Sequence, residues 1–221
     1  MRAIKKQGGF TLVEIAIVLV IIGLLLAGVL KGQEMIENGR VKSAATDLNG
    51  VAAAYNSYLD RYKAMPGDNG PTANITPRGG VWATMTGGDG NGILVATAAT
   101  TFNPAVGAEN ELFFRHLRAA GYLAGDPAAT AVNALPLNAW GGRTGVVNAI
   151  TQGRPVAKLQ VCMGNVPGKS AAALDRQLDD GVTTTGNFRA TLGANNIAPA
   201  VAAAAATVYI EDQVYTVCRD L

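Results

Sequence analysis

The feature that most constrains this chain is an apolar run that begins at Phe10 and ends at Leu30. As an α-helix, the run would span about 31 Å at about 1.5 Å per residue, enough to cross a hydrocarbon core about 30 Å thick. Arg2, Lys5 and Lys6 precede it. Because basic residues favour the cytoplasmic side of a membrane, this charge distribution predicts that the rest of the chain is exported.

Glu14 is the only charged residue in the apolar run. A carboxylate in lipid costs about 2.5 to 3.5 kcal/mol on insertion scales, so we expect it to serve a function. If the chain is cut between Gly9 and Phe10, a new α-amino group lies one helical turn from Glu14 and can neutralise it. The helix dipole favours the same negative charge. In an assembly, the carboxylate could instead meet the amine of a neighbouring subunit and set the axial register.

The segment Gly9 to Glu14, which reads GFTLVE, resembles the cleavage and methylation signal of type IV pilins and type II secretion pseudopilins. The resemblance implies cleavage after Gly9 by a membrane-embedded prepilin peptidase, N-methylation of Phe10, and a role for Glu14 in filament assembly. A conventional signal peptide, which Glu14 disfavours, and a simple single-pass anchor are the alternatives.

The resemblance also implies an α+β, pilin-like fold, in which a long N-terminal helix packs against a small antiparallel sheet in a globular head. The residues support one helix of about 55 residues, because no proline occurs before Pro66 and apolar positions recur every three or four residues. The predicted apolar face comprises Val41, Ala44, Ala45, Leu48, Val51, Ala52, Tyr55, Leu59 and Tyr62. The predicted divisions are a leader at 1–9, a transmembrane or filament-core helix at 10–30, an amphipathic continuation at 31–65, and a head at 66–221.

Within the head, composition and spacing predict further elements. Two helices are expected at 109–120 and at 170–180, the second with Ser170 as its N-cap. Strands are expected at 156–162, 207–211 and 214–218, with a tight turn between the last two. We expect the first of these strands to lie near the last one.

Cys162 and Cys218 are the only cysteines in the chain. Both lie on the exported side, where an oxidising compartment permits a disulfide. Two separate buried thiols are the alternative. A C-terminal disulfide loop would also resemble that of many type IV pilins, so the resemblance favours the pairing.

A calcium site is the weaker of two interpretations of the loop around Asp89 and Asn91. An EF-hand would require an acid in place of Gly87 and a bidentate glutamate in place of Ala98. A turn therefore explains the pattern better than a calcium site completed by distant oxygens such as those of Asp68. We predict no cofactor, with calcium as the open alternative because some pseudopilins bind it.

Charge argues against nucleic acid as a partner. Removing residues 1–9 takes three of the 18 basic side chains and leaves 15 against 16 acidic ones. Phosphate binding depends on clustered lysine and arginine, which this balance does not supply. The resemblance instead implies other partners: copies of the same chain, other pilins, the prepilin peptidase, and an inner-membrane assembly platform with its ATPase.

The sequence therefore predicts a structural subunit rather than an enzyme. His116 has no serine, cysteine or acid at a catalytic spacing. The expected location is the bacterial inner membrane with the head in the periplasm, followed by a surface pilus or a periplasmic pseudopilus. The alternatives to a pilus subunit are a type II secretion pseudopilin and a minor pilin whose head binds a surface, DNA or a secreted substrate.

Overall fold

The computed structural model describes residues 11–204 and 206–221. Its contacts divide the chain into two units, Met1–Gly39 and Arg40–Leu221. Helix α1, Leu12–Tyr62, contributes residues to both units. The predicted leader at 1–9 and the predicted methylation site at Phe10 lie outside the described residues.

In the first unit, the described side chains belong almost entirely to α1. Every residue from Thr11 to Leu30 is exposed. The apolar run then gives way to polar helix, where Lys31 Nζ lies 2.8 Å from Glu34 Oε2. This unit therefore presents an apolar helix surface that no described residue covers.

In the second unit, one face of α1 is buried in the core. Its buried residues are Val41, Ala44, Ala45, Leu48, Val51, Ala54 and Tyr58. The predicted face is confirmed as far as Val51. Beyond it, Ala54 and Tyr58 are the buried residues of the helix, whereas the predicted Ala52 and Leu59 are only half-buried. The helix ends at Tyr62 because Lys63 has a φ of 52°, outside the helical region.

Four strands form one antiparallel sheet in the described part of the chain. They are β1 (Thr144–Ala149), β2 (Lys158–Pro167), β3 (Phe188–Leu192) and β4 (Val214–Asp220), in the order β1-β2-β4-β3. The sheet and the long helix confirm the predicted α+β class. The predicted strands at 156–162 and 214–218 correspond to β2 and β4, which pair antiparallel.

The predicted strand at 207–211 is wrong: hydrogen bonds that involve side chains hold this segment, and it does not pair with β4. The Tyr209 hydroxyl donates to Asp175 Oδ2 at 2.6 Å. The Ile210 N–H donates to the Tyr215 hydroxyl at 2.9 Å. The segment is therefore irregular, and β3 is the strand that pairs with the outer edge of β4.

The other α-helices in the described residues are the short α2 (Thr72–Ile75), α3 (Glu109–Ala119) and α4 (Gly168–Leu178). The bounds of α3 agree with the predicted helix at 109–120. Helix α4 starts two residues before Ser170, and its N-cap position is Pro167, so the predicted N-cap role of Ser170 is wrong. Strand β2 runs directly into α4, and the fixed φ of proline suits this entry into a helix.

Helix α3 lies in the same hydrophobic core as α1 and the sheet. Phe113, Phe114 and Leu117 are fully buried. The rings of Tyr55 and Phe113 stack with centroids 6.1 Å apart. The core thus joins the second part of α1 to α3 and to β-strand residues such as Val161.

Candidate functional site

The first candidate site is the N-terminal part of α1. Within the described residues, α1 is the one helix long and apolar enough to cross a membrane, judged by length and composition. None of its most apolar window is buried in the protein. The large side chains of this segment, such as Leu12 and Leu24, are at least 46% exposed. The segment is consistent with membrane anchoring.

Glu14 lies in the first turn of this helix. Its Oε2 atom accepts hydrogen bonds from the Thr11 N–H at 2.8 Å and from the Thr11 hydroxyl at 2.9 Å. In return, the Glu14 N–H donates to Thr11 Oγ1 at 3.3 Å. Thr11 and Glu14 thus form a capping box, in which residues at the N-cap and N3 positions satisfy each other's backbone donors.

The capping box places a carboxylate where a helix favours negative charge. The first N–H groups of a helix lack intrahelical acceptors and carry a partial positive charge. The Thr11 carbonyl accepts the first hydrogen bond of the helix, from the Ile15 N–H at 3.4 Å. Glu14 is therefore held against the start of its own helix.

The other residues predicted for this site are Gly9 and Phe10, which lie outside the described residues. Thr11 was not predicted to take part, although the signal was present in the sequence. The pattern Thr-x-x-Glu immediately before an apolar run is characteristic of a helix start.

The predicted disulfide joins two strands of the sheet. Cys162 and Cys218 are direct partners in the β2–β4 register, and their sulfur atoms are bonded. Both residues are fully buried. The bond closes the C-terminal region of the head over a sequence separation of 56 residues.

The proposed calcium ligands belong to a loop held by hydrogen bonds. Asp89 Oδ1 and Oδ2 accept from the backbone and side-chain N–H groups of Asn91 at 3.0 and 2.7 Å. Asn91 Oδ1 accepts from the Ile93 N–H at 2.7 Å. Both side chains therefore serve a turn, which was the favoured interpretation, and calcium binding stays the open alternative.

Two buried carboxylates hold the same loop. Asp68 accepts from the N–H groups of Gly90, Asn91 and Gly92 at 2.7, 3.2 and 2.7 Å. Glu109, at the start of α3, accepts from the Asp89 N–H at 3.2 Å and the Val95 N–H at 2.6 Å. One oxygen each of Asp68, Asp89 and Glu109 lies within 4.8 Å of the others. The backbone N–H groups that these three acids engage account for their proximity.

Comparison with known proteins bears on the N-terminal site. Residues 4–30 match the family model described as the prokaryotic N-terminal methylation motif. A search of curated proteins found no match to the chain. The matched segment contains Lys5 and Lys6 of the leader, Gly9, Phe10, Glu14 and the apolar run, which are features that the resemblance rested on. The chain therefore carries the prepilin signal of type IV pilins and pseudopilins.

Proposed function

We propose that this chain is a structural pilin subunit that polymerises through its N-terminal helix into a type IV pilus-like filament. A prepilin peptidase removes residues 1–9 and Phe10 is N-methylated. Before assembly, the apolar part of α1 anchors the subunit in the bacterial inner membrane, with the head in the periplasm. An inner-membrane platform and its ATPase move the subunit into the filament.

The observation that carries this proposal is the match of residues 4–30 to a methylation motif whose apolar helical part, Thr11 to Leu30, is exposed at every residue. Burying one large aliphatic side chain is worth about 1.5 to 3 kcal/mol. A helix with many such side chains exposed cannot remain in water, so it must lie in lipid or against other helices. Before assembly the helix lies in lipid, and in the filament it lies against identical helices. Its apolar side chains are therefore removed from water at both stages.

Glu14 makes the membrane and the filament differ in free energy for this helix. In lipid its charge is costly, whereas a helix bundle offers the amine of Phe10 on a neighbouring subunit as a partner. The carboxylate therefore favours the filament over the membrane and disfavours any packing that leaves it unpaired. The same argument applies to a secretion pseudopilus, which is the second assembly that the motif supports.

Replacing Gly9 with leucine is expected to block cleavage, because the peptidase must accommodate the residue before the cut in a narrow site. Mass spectrometry of the full chain, produced with the peptidase, should show the intact precursor for Gly9→Leu. The wild-type protein and the small-residue control Gly9→Ala should lose the mass of residues 1–9. Normal trimming of Gly9→Leu would contradict the assigned cleavage position.

Replacing Glu14 with alanine is expected to leave cleavage and membrane insertion intact but to reduce filament incorporation at least tenfold. The matched control is Glu34→Ala, which removes an acid from the same helix beyond the apolar run. The measurement is the amount of subunit in filaments sheared from cells that assemble the wild-type chain. Wild-type incorporation of Glu14→Ala would contradict a role for this carboxylate in assembly.

A further inference from the structure

We propose that Asn91 is a site of spontaneous deamidation in the head, and that the buried Asp68 carboxylate holds this reaction in check. The chain has four Asn-Gly pairs, which begin at Asn38, Asn49, Asn69 and Asn91. Such pairs are prone to deamidation, because glycine has no side chain to hinder attack by its own backbone nitrogen. This reaction is independent of filament assembly.

Among these four described pairs, the one at Asn91 lies in an exposed loop. Asn38 and Asn49 lie inside α1, where helical hydrogen bonds occupy the backbone N–H groups. Asn69 is only 5% exposed, and its side chain is hydrogen-bonded to the Tyr58 hydroxyl at 2.7 Å. Asn91 is exposed, so solvent reaches its side-chain amide.

Deamidation at this pair would consume one water molecule and release ammonia. The Gly92 nitrogen gives up its proton and bonds to Cγ of Asn91. The bond between Cγ and the side-chain nitrogen breaks, and that nitrogen leaves with the proton as ammonia. Water from the solvent then opens the resulting succinimide ring to aspartate or isoaspartate. No oxidant or reductant takes part.

The loop requires the glycine that makes Asn91 vulnerable. Gly92 has a φ of 86°, which residues with a side chain rarely adopt. Protection is supplied by Asp68, which is 2% exposed and accepts from the Gly92 N–H through Oδ2 at 2.7 Å. Loss of the Gly92 proton would place a negative nitrogen against this carboxylate, and like charges disfavour that state. Asp68 therefore opposes the first step of the reaction.

The product would also prevent the loop from closing again. Asn91 Nδ2 donates to Asp89 Oδ2 at 2.7 Å, and this donor leaves as ammonia. Its replacement is a carboxylate, next to a cluster in which oxygens of Asp68, Asp89 and Glu109 already lie within 4.8 Å of one another. Because like charges repel, one opening of the loop could be made permanent by this reaction.

The test follows deamidation of the full chain in detergent at mildly alkaline pH, with a chelator present so that calcium cannot occupy the loop. Peptide mass spectrometry measures conversion of each Asn-Gly pair in the folded wild type, in the wild type unfolded by urea, and in Asp68→Asn. Glu109→Gln is the matched control, because Glu109 holds the same loop through other N–H groups, those of Asp89 and Val95.

Folding should slow conversion of Asn91 about ten- to hundredfold relative to the chain in urea, which is the effect expected of a hydrogen bond to a charged group. Asp68→Asn should restore most of that rate at Asn91. Conversion at Asn49 should stay slow in this variant, because α1 remains folded. Glu109→Gln should accelerate conversion of Asn91 less than Asp68→Asn does.

Equal rates at Asn91 in the folded and the unfolded wild type would overturn the proposal, as would equal acceleration by Asp68→Asn and Glu109→Gln. If fast conversion at Asn49 shows that Asp68→Asn unfolds, hydrogen exchange of the wild type decides. The Gly92 N–H should exchange about ten- to hundredfold more slowly in the folded chain than in urea. Unprotected exchange at Gly92 would overturn the role of Asp68.

Discussion

Replacing Arg154 with alanine is expected to lower the free energy of unfolding of the head by about 3 kcal/mol, because it removes a buried cation that pairs with Asp220 and donates to three further oxygens. The Arg154 side chain is only 2% exposed. Its Nε atom donates to Asp220 Oδ1 at 2.8 Å. Its terminal nitrogens donate to Gln152 Oε1 and to the carbonyl oxygens of Asn187 and Cys218 at 3.0 to 3.1 Å.

Through these contacts Arg154 connects Gln152, in the loop before β2, with Asn187, the residue before β3, and with β4. The partners are a carboxylate and three neutral oxygens. In the alanine variant Asp220 keeps Lys158 and the Asn187 carbonyl keeps the Asp220 N–H, while the other bonds to the guanidinium are lost. Cys218 is also a member of the disulfide, which means that the arginine supports the same strand that the covalent bond holds. The loss should therefore exceed that of an ordinary surface ion pair.

Lys158→Ala is the matched control for this prediction. Lys158 Nζ lies 2.7 Å from Asp220 Oδ2, so it pairs with the same carboxylate, but its side chain is 46% exposed. An exposed pair of this kind contributes about 0 to 1 kcal/mol. Urea unfolding of the full chain in detergent, followed by the fluorescence of Trp82 and Trp140 in the head, measures both variants. If Arg154→Ala lowers the free energy of unfolding no more than Lys158→Ala does, the predicted structural role of the buried Arg154 is wrong.

Local patterns explain what could be predicted from the sequence. The apolar face of α1 repeats over many turns, so its position in the sequence defines both the helix and its buried side. Glu14 stood out because a single charge in an apolar run is a local anomaly. Strands β2 and β4 alternate apolar and polar residues well enough to be recognised, and the pairing of Cys162 with Cys218 confirms that they are neighbours.

The elements that escaped prediction depend on distant contacts. Strand β1 is buried along its first four residues and half-buried at its end, so it lacks the alternation of a strand with one exposed face. Strand β3 has only five residues and lies at the sheet edge. Arg154 was not predicted to matter, because its partners Asn187 and Asp220 lie 33 and 66 residues away in the sequence. Only the folded chain brings these groups together.

His116 should make the stability of the head fall as the pH falls from about 6.5 to about 4. The residue is fully buried. Its Nδ1 atom accepts from the Gly67 N–H at 3.0 Å, so Nε2 carries the proton and donates to the Thr86 carbonyl oxygen at 2.8 Å. Burial lowers the pKa of His116 to about 4, and the nearby Arg115 and Arg78 cations act in the same direction. Protonation of Nδ1 would also remove the acceptor that Gly67 requires.

The direction of this pH dependence is set by which state, folded or unfolded, binds the proton more tightly. The unfolded chain protonates His116 near its ordinary pKa of 6.5, whereas the folded chain does so only near 4. Between pH 6.5 and 4 the unfolded state binds a proton at His116 and the folded state does not. The free energy of unfolding therefore decreases on acidification. The interval corresponds to about 3 kcal/mol at about 1.4 kcal/mol per pKa unit. Above pH 7 the group has no effect on the pH dependence.

Asp175 should oppose this trend. Burial raises the pKa of Asp175 to about 6 from its ordinary 3.8, and Asp179 and Asp180 contribute in the same direction, while hydrogen bonds from Tyr209 and Gly181 lower it. Between pH 6 and 4 the folded state therefore binds a proton that the unfolded state does not, and stability increases on acidification. The two groups mask each other in the wild-type chain.

Single variants should separate the two contributions. His116→Gln should be less stable than the wild type at pH 7, and this deficit should shrink by about 3 kcal/mol at pH 4, because the variant has no imidazole to protonate in the unfolded state. For Asp175→Asn the deficit relative to the wild type should instead grow as the pH falls. Tryptophan-monitored urea unfolding of the full chain at pH 7, 5.5 and 4 measures both. A general effect of acid on the detergent or the anchor would change the stability deficits of both variants in the same direction. Only opposite changes in the two deficits support the assigned protonation states. A constant His116→Gln deficit would contradict a neutral buried imidazole.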